Sequence, residues 1–155
     1  KKILEIGLGT NNVDVVSTMG KNGKPGSSLR AFRDFTSNAN VFGADFDSRI
    51  LFSEERIETY FVDQTDADTF TQLSRNVGGD FDLMIDDGLH SPNANLHSLD
   101  FFLQNIKVGG FAVIEDVNVL TKPVWDIVGH LLQPSYLTAF IKTKGAYMFV
   151  VQRKK

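Results

Sequence analysis

Residues 3–9 read Ile-Leu-Glu-Ile-Gly-Leu-Gly, a short apolar strand that runs directly into a turn with two glycines. A strand followed by glycine opens many nucleotide sites in α/β proteins, because Gly7 and Gly9 can take positive φ and let a ligand approach the backbone. A dinucleotide site needs a third glycine at the start of the next helix, but the sequence continues Thr10-Asn11-Asn12. Glu5 also places negative charge where a pyrophosphate would lie. The stretch therefore predicts a nucleotide-type α/β fold with a cationic ligand.

The composition predicts one globular domain spanning residues 1–155, since 42% of the residues are hydrophobic and the chain is too short for two full domains. The net charge of −3 argues against a nucleic-acid-binding surface and favours a small acceptor molecule. The absence of cysteine excludes disulfides and thiolate metal sites. No apolar run approaches the roughly 20 residues of a membrane span, and no signal peptide is visible, so we expect a cytoplasmic protein without membrane contacts.

The chain begins Lys1-Lys2 directly before a strand, without an initiator methionine. We therefore expect it to be part of a longer protein, with a missing N-terminal segment that contributes to function. The sequence does not set the oligomeric state, and a homo-oligomer remains one option.

Hydrophobic runs typical of strands alternate with amphipathic runs typical of helices. The predicted strands are 2–6, 40–45, 58–62, 80–86, 108–115, 136–143 and 146–153. The first predicted helix begins at Ser27 or Ser28 and has Leu29, Phe32 and Phe35 on one face. The second begins at Asp66 or Asp68 and ends at Gly78-Gly79. The third begins at Ser91-Pro92 with Leu96, Leu99, Leu103 and Ile106 on one face, and the fourth spans about residues 122–133. The Lys144-Gly145 turn is only long enough for a hairpin. The order predicts a mostly parallel seven-stranded sheet with helices on both faces and a C-terminal antiparallel hairpin.

Segment 10–26 interrupts this alternation, because it is rich in Asn, Gly, Ser and Lys. We expect it to form a mobile loop over the ligand site, and an inert insertion is the alternative.

Acidic residues follow five predicted strands at the points where the strands end: Glu5, Asp45, Asp63, Asp86-Asp87 and Glu115-Asp116. Parallel α/β sheets bind ligands at this edge. Asp45 is predicted to accept the hydroxyls of a ribose, and Asp63, with Gln64 beside it, the amino group of an adenine. In an NAD site the ribose acid should come about 20 residues after the glycines. Asp45 comes later because of segment 10–26, so spacing alone leaves NAD open.

The strongest signal is Ile85-Asp86-Asp87-Gly88-Leu89-His90 paired with Ile114-Glu115-Asp116. Three carboxylates that converge at neighbouring strand ends would repel one another unless a cation or protons offset their charge. Carboxylate ligands favour a hard ion such as Mg²⁺, with Mn²⁺ or Ca²⁺ as substitutes. A neutral His90 imidazole beside that ion could take a proton from a hydroxyl. For His97 and His130 we expect surface or capping roles.

Seven motifs occur in order: Glu5-Ile-Gly-Leu-Gly9, Gly26-Ser-Ser-Leu-Arg30, Gly43-Ala-Asp45, Asp63-Gln-Thr-Asp66, Ile85-Asp-Asp-Gly-Leu-His90, Gly109-Gly110 and Ile114-Glu-Asp116. Over residues 2–116 they resemble class I S-adenosylmethionine (SAM) methyltransferases, and specifically the metal-dependent sugar O-methyltransferases of macrolide biosynthesis and the cephalosporin-hydroxylase-like family. The resemblance implies a Rossmann-like fold. It implies SAM bound by Glu5, Gly7, Gly9, Asp45 and Asp63, and we add Gln64 and Asp86 to this set. It also implies Mg²⁺ bound by Asp87, Glu115 and Asp116, with His90 as general base.

The sequence departs from that family in two respects. Leu89 stands where a small polar residue is usual, and we expect the N-terminal region that helps to bind the acceptor and to assemble oligomers in that family to lie outside this sequence. We expect a SAM- and Mg²⁺-dependent O-methyltransferase acting on a hydroxyl of a sugar or similar polyol, with a catechol acceptor less favoured because Glu115-Asp116 replaces an Asp-Asn pair. A noncatalytic SAM-binding module and an NAD(P)-dependent oxidoreductase are the alternatives.

Overall fold

The computed structural model describes all 155 residues, and its central feature is one eight-stranded sheet. The strands are β1 (Lys2–Ile6), β2 (Asn40–Asp45), β3 (Ser53–Glu54), β4 (Ile57–Phe61), β5 (Phe81–Asp86), β6 (Ile106–Val117), β7 (Tyr136–Lys142) and β8 (Tyr147–Arg153). Their order across the sheet is β3-β4-β2-β1-β5-β6-β8-β7. Strands β1, β2, β4, β5 and β6 are parallel, whereas β7 and β8 form an antiparallel hairpin. The mostly parallel α/β sheet with a terminal hairpin is confirmed.

The predicted count of seven strands is wrong by one. The additional strand is β3, two residues long, which pairs antiparallel with β4 at the sheet edge. Glu55 and Arg56 form the turn between them, with Arg56 at a φ of 61°. A strand of two residues has no alternation of apolar and polar side chains, so the sequence pattern could not reveal it.

Four helices connect the strands: α1 (Ser27–Phe35), α2 (Ala67–Val77), α3 (Pro92–Asn105) and α4 (Lys122–Leu132). Asp66 and Ser91 cap α2 and α3 as predicted, since their side chains accept hydrogen bonds from backbone amides of the first turn. The predicted serine cap of α1 is wrong. Gly26, in a left-handed conformation, occupies the capping position without a side-chain bond, and the Ser28 hydroxyl is bonded to Glu5. No helix combines the length and apolar character that a bilayer crossing requires.

The helices cover both faces of the sheet, and the alternation of side chains along β1 separates two apolar clusters. Leu4 and Ile6 belong to the larger cluster, which also contains buried residues of α2, α3 and α4. Ile3 belongs to the smaller cluster, which contains Leu29 of α1. The strand is therefore buried on both sides, which agrees with its apolar residues Ile3, Leu4 and Ile6.

Two predicted helix faces are wrong in part. Leu99 of α3 is buried, but Leu96 is exposed and Ile106 already begins β6. The polar residues Asn95 and Ser98 are buried instead, because they hydrogen-bond to other buried polar groups. In α1, Phe35 is 92% exposed at the last helical residue, although Leu29 is buried.

Candidate active site

A cleft of about 810 Å³ opens at the carboxyl ends of β1, β2, β4 and β5. This volume lies in the range of small-molecule sites. Five of the residues predicted to bind cofactor line it, namely Gly7, Gly9, Asp45, Asp63 and Gln64. Asp87 and His90 line it too, so the predicted cofactor site and part of the predicted metal site share one cavity.

The glycine turn after β1 is packed too closely for side chains. Gly7 has a φ of 93°, and a Cβ there would collide with the backbone of Asp87. Gly9 has a φ of 74°, and a Cβ there would meet the side chain of Met19. The amide of Asp87 also donates to the carbonyl of Ile6 at 2.8 Å. The turn after β1 and the turn after β5 are thereby fixed against each other.

Asp45, at the end of β2, braces the glycine turn. Its Oδ2 accepts the amide of Leu8 at 2.7 Å, and its Oδ1 accepts the amide of Asp47 at 2.8 Å. Burial raises the pKa of Asp45, and these backbone bonds act in the opposite direction. Each carboxylate oxygen has a second lone pair, so Asp45 can still accept a hydroxyl of a ligand in the cleft.

Asp47 is a site residue that the sequence reasoning missed. It is 3% exposed and accepts hydrogen bonds from Thr10 at 2.6 Å, from Asn12 at 2.7 Å and from Arg49 at 2.6 Å. The Arg49 guanidinium, together with the two polar side chains, holds the pKa of Asp47 well below its usual range. Arg49 also contacts Asp14 at 3.1 Å. The only sequence signal was a second acid two residues after the strand-end acid Asp45.

These contacts attach segment 10–26 to the loop after β2. Asp14, Val15, Val16, Ser17 and Met19 line the cleft. The expected position of the segment over the site is confirmed, which argues against an inert insertion. Its mobility stays a prediction.

Asp63 lines the cleft and follows β4. Its Oδ1 accepts the amide of Thr65 at 2.8 Å and the Thr65 hydroxyl at 2.7 Å. Its other carboxylate oxygen has no protein donor among the side-chain bonds of this turn, which leaves an acceptor for an amino group.

Gln64 lines the cleft, as predicted for a cofactor residue, but its side-chain amide is bonded to protein groups, and Asp86 lies away from the cleft. Asp86 has no exposed surface and does not line the cleft. Gln64 is buried, and its amide nitrogen donates to Asp86 at 2.8 Å. The position of Asp86 contradicts direct contact with a cofactor, because its carboxylate is enclosed by protein donors.

Glu5 is likewise enclosed. It is 5% exposed, does not line the cleft, and accepts a short hydrogen bond from the Ser28 hydroxyl of α1. Burial raises the pKa of Glu5 to about 7, and the charges of Asp87 and Glu115 add to this effect. Direct contact between Glu5 and a cofactor is therefore not supported by its position.

Asp87, His90 and Asp116 form a compact group next to the cleft, with their potential ligand atoms within 4.8 Å of one another. Nε2 of His90 lies 3.7 Å from Oδ1 of Asp87 and 4.0 Å from Oδ2 of Asp116. Two carboxylates and one imidazole suit a divalent ion such as Mg²⁺ or Mn²⁺. Burial, followed by the charges of Asp116 and Asp86, raises the pKa of Asp87, whereas His90 lowers it.

The third predicted metal ligand, Glu115, is not in this group. The pairing of β6 with β8 shifts between Ile114 and Val117, and Asp116 has a φ of 50°. A bulge of this kind re-aims a side chain, and here it turns Asp116 toward His90. Adjacent residues of a regular strand point to opposite faces. Glu115 and Asp116 would therefore need a further change in the backbone to reach the same ion. Burial raises the pKa of Glu115, and the nearby Asp87 and Asp116 raise it further.

No protein-family model matches the chain. It is 34% identical over 92 residues to demethylmacrocin O-methyltransferase of Streptomyces fradiae. The aligned region covers 59% of this chain and 23% of that protein. It is 32% identical over 146 residues to L-olivosyl-oleandolide 3-O-methyltransferase of Streptomyces antibioticus. This aligned region covers 93% of this chain and 35% of that protein. The chain thus spans about a quarter to a third of the length of these relatives.

Among solved structures, the chain is similar to the MycE methyltransferase from the mycinamycin biosynthetic pathway in complex with Mg and SAH, with a TM-score of 0.76 and 21% sequence identity. The similarity covers 99% of this chain and 44% of that chain. At this identity the likeness shows a shared fold.

Proposed function

We propose that this chain, which has the class I methyltransferase fold, is the cofactor-binding domain of a SAM- and Mg²⁺-dependent O-methyltransferase that acts on a sugar or polyol-like hydroxyl. The observation that carries the proposal is the Asp87, His90 and Asp116 group at the edge of a cleft formed by the glycine turn. Residues 1–155 would form one domain. The sugar acceptor is supported by sequence similarity to proteins such as L-olivosyl-oleandolide 3-O-methyltransferase.

SAM would lie in the 810 Å³ cleft, against the backbone of Gly7 and Gly9. The absence of Cβ atoms at these positions lets a ligand approach the turn. Asp45 would accept ribose hydroxyls with its remaining lone pairs, and Asp63 would accept the adenine amino group. Glu5, Gln64 and Asp86 would support this site through the residues they hold rather than by contact.

Asp87 and Asp116 would hold the divalent cation. Glu115, the third ligand that the sequence predicted, lies outside their group and stays a predicted ligand. A bound cation supplies positive charge that offsets carboxylate repulsion and lowers the pKa of a hydroxyl. The geometry supports this assignment, because the potential ligand atoms of Asp87, His90 and Asp116 all lie within 4.8 Å of one another.

His90 would act on the acceptor as general base. Its Nε2 lies among the oxygens of Asp87 and Asp116, on the cleft wall. A neutral imidazole there would take the proton of the acceptor hydroxyl, whose oxygen then attacks the methyl carbon of SAM. The new C–O bond forms as the C–S bond breaks, S-adenosylhomocysteine (SAH) leaves, and the proton stays on His90. Alignment of oxygen, carbon and sulfur would supply a large part of the rate.

Calorimetry of the 155-residue chain with SAH and with NAD, each with and without Mg²⁺, tests the cofactor. We expect binding of SAH and none of NAD. Binding of NAD without SAH would support an oxidoreductase instead. Transfer of a labelled methyl group from SAM to glycosides with free vicinal hydroxyls then tests catalysis, and a protein that binds SAH but methylates none of them would fit a noncatalytic module.

A further inference from the structure

A buried polar network lies between the ends of β4 and β5 and helix α3. Its side chains belong to Gln64, Asp86, Asn95 and Ser98, and all four are buried. Asp86 and Ser98 have no exposed surface at all. Burial of polar groups is costly unless each finds a hydrogen-bond partner, and every buried polar side-chain atom here has one.

Both ends of the Gln64 side-chain amide are bonded within the network. Its nitrogen donates to Oδ1 of Asp86 at 2.8 Å and to the Ser98 hydroxyl at 2.8 Å. Its oxygen accepts the backbone amide of Leu89 at 2.8 Å. The partners fix the orientation of the amide, because only the nitrogen can donate to a carboxylate and only the oxygen can accept from an amide.

The network ends on the turn that carries the candidate catalytic residues. Gly88 donates to Oδ1 of Asp86 at 3.1 Å, and Oδ2 of Asp86 accepts from Asn95 at 2.9 Å. Gly88 and Leu89, the two residues between Asp87 and His90, are thus both bonded to buried side chains. A Cβ at Gly88 would collide with the Gln64 amide, so the contact between side chain and turn is close.

The turn needs such support, because His90 has a φ of 55°, which is unfavourable for a residue with a Cβ. A strained conformation persists only where the surroundings over-determine it. Among the side-chain hydrogen bonds, those to Gly88 and Leu89 are the ones that hold the turn between Asp87 and His90.

We infer that Gln64, with Asp86, is a positioning residue that holds Asp87 and His90 in place, and that it is not a cofactor contact. The inference rests on the proposed function, because Asp87 and His90 matter only if they form the reaction site. It differs from the sequence prediction, which assigned Gln64 and Asp86 to the cofactor.

The variant Gln64→Glu tests this assignment with almost no change of shape. It keeps the acceptor for Leu89 but places a second carboxylate oxygen against Asp86, which turns an attractive contact into a repulsive one. Gln72→Glu, on the exposed surface of α2, adds the same charge and serves as the control. Mn²⁺ and SAH binding are measured by calorimetry, and the order of the turn is followed from the His90 Cε1–Hε1 resonance.

We expect Gln64→Glu to weaken Mn²⁺ binding at least tenfold and to shift or broaden the His90 resonance, while SAH affinity stays within threefold of wild type. Gln72→Glu should change none of these. A tenfold loss of SAH affinity with unchanged Mn²⁺ binding would overturn the inference in favour of a cofactor contact. Unchanged Mn²⁺ and SAH binding would overturn it as well.

A second variant, Gln64→Met, covers the case in which the first variant loses both ligands. Methionine has a similar length and no charge, and it removes the bonds to Asp86, Ser98 and Leu89 without placing a second carboxylate against Asp86. Weaker Mn²⁺ binding with SAH affinity within threefold of wild type supports the inference, and unchanged Mn²⁺ binding overturns it. If wild type bound neither SAH nor Mn²⁺, the proposed function would fail, and the His90 resonance in the same variants would still decide whether Gln64 positions the turn.

Discussion

Nε2 of His90 lies 3.7 Å from Oδ1 of Asp87, and the two residues are three positions apart in the same turn. This separation is too long for a hydrogen bond and leaves room for a proton donor or an ion between the two groups. Asp116, which comes from the next strand, faces the same nitrogen at 4.0 Å. The three groups therefore converge without saturating one another, as expected of a site that binds something else.

The role of His90 can be decided by His90→Ala. If His90 is the general base, turnover should fall by about 10²–10⁴ with Mg²⁺ and SAM affinity retained, and excess Mg²⁺ should not restore it. If His90 is only a ligand, excess Mg²⁺ should restore the rate. We expect the first result, and His130→Ala on α4 is the matched control. An unchanged rate in His90→Ala would return the residue to a turn-forming role.

The proposed metal ligands Asp87 and Asp116 predict that their neutral variants lose metal-dependent activity. Asp87→Asn or Asp116→Asn should abolish Mg²⁺-dependent methyl transfer, while SAH affinity, measured by calorimetry, stays nearly unchanged. The same variants should unfold at higher denaturant concentration than wild type without metal, because they remove like-charge repulsion. Asp100→Asn, at an exposed position of α3, is the control. Equal activity of wild type in EDTA and in Mg²⁺ would refute the metal proposal.

The pKa of Glu5 predicts a pH dependence of stability. The folded-state pKa is about 7 against an ordinary value of 4.5, so the folded protein holds a proton that the unfolded chain releases in this range. The free energy of unfolding should therefore fall as pH rises from about 4.5 to about 7, with a total loss from this group of about 3 kcal/mol at most. Glu5→Gln should remove this slope in urea unfolding curves without metal.

The exposed Glu55 provides the comparison for that experiment, because Glu55→Gln makes the same chemical change to a glutamate in the β3–β4 turn. A slope that persists in Glu5→Gln would assign it to other groups. Wild type that gains stability with rising pH over this range would contradict the raised pKa of Glu5.

The glycine turn predicts a large effect of one methyl group. Gly7→Ala should lower the free energy of unfolding by about 2–4 kcal/mol and abolish SAH binding, because strain at positive φ adds to a collision with the backbone of Asp87. Gly20→Ala isolates the strain, since Gly20 has a φ of 75° and no atom within 4 Å of the added Cβ. We expect that variant to lose only about 1 kcal/mol. Similar losses in both variants would remove the collision from the explanation.

The attachment of segment 10–26 predicts a change in local dynamics. Arg49→Gln should speed amide hydrogen exchange of residues 10–19 and weaken SAH binding severalfold, because Arg49 joins Asp47 to Asp14 across the loop. Exchange in α2 should not change. Arg75→Gln, on exposed α2, is the control. Exchange rates in residues 10–19 that match wild type would show that the arginine does not hold the segment.

Local sequence patterns predicted most of the fold. The apolar runs and the caps at Asp66 and Ser91 mark the parallel strands and two of the helix starts, because strand burial and helix capping depend on near neighbours. The predictions that are wrong depend on distant ones. The cap of α1 differs because Ser28 bonds to Glu5, and the buried face of α3 differs because Asn95 and Ser98 bond to groups on other elements.

The alternation of strands and helices, the glycine turn and the row of acids at the strand ends follow from local sequence, because strand burial and turn chemistry are properties of short segments. The surroundings of each acid depend on contacts between segments that are distant in the chain. Asp86 and Asp87 are adjacent in the chain, yet Asp86 is enclosed by donors and Asp87 opens to the cleft. Glu115 and Asp116 are also adjacent, yet only Asp116 belongs to the group with Asp87 and His90. The pairing of β6 with β8 shifts at these two residues. The direction of a side chain at a strand end depends on what packs against it, which no stretch of sequence specifies alone.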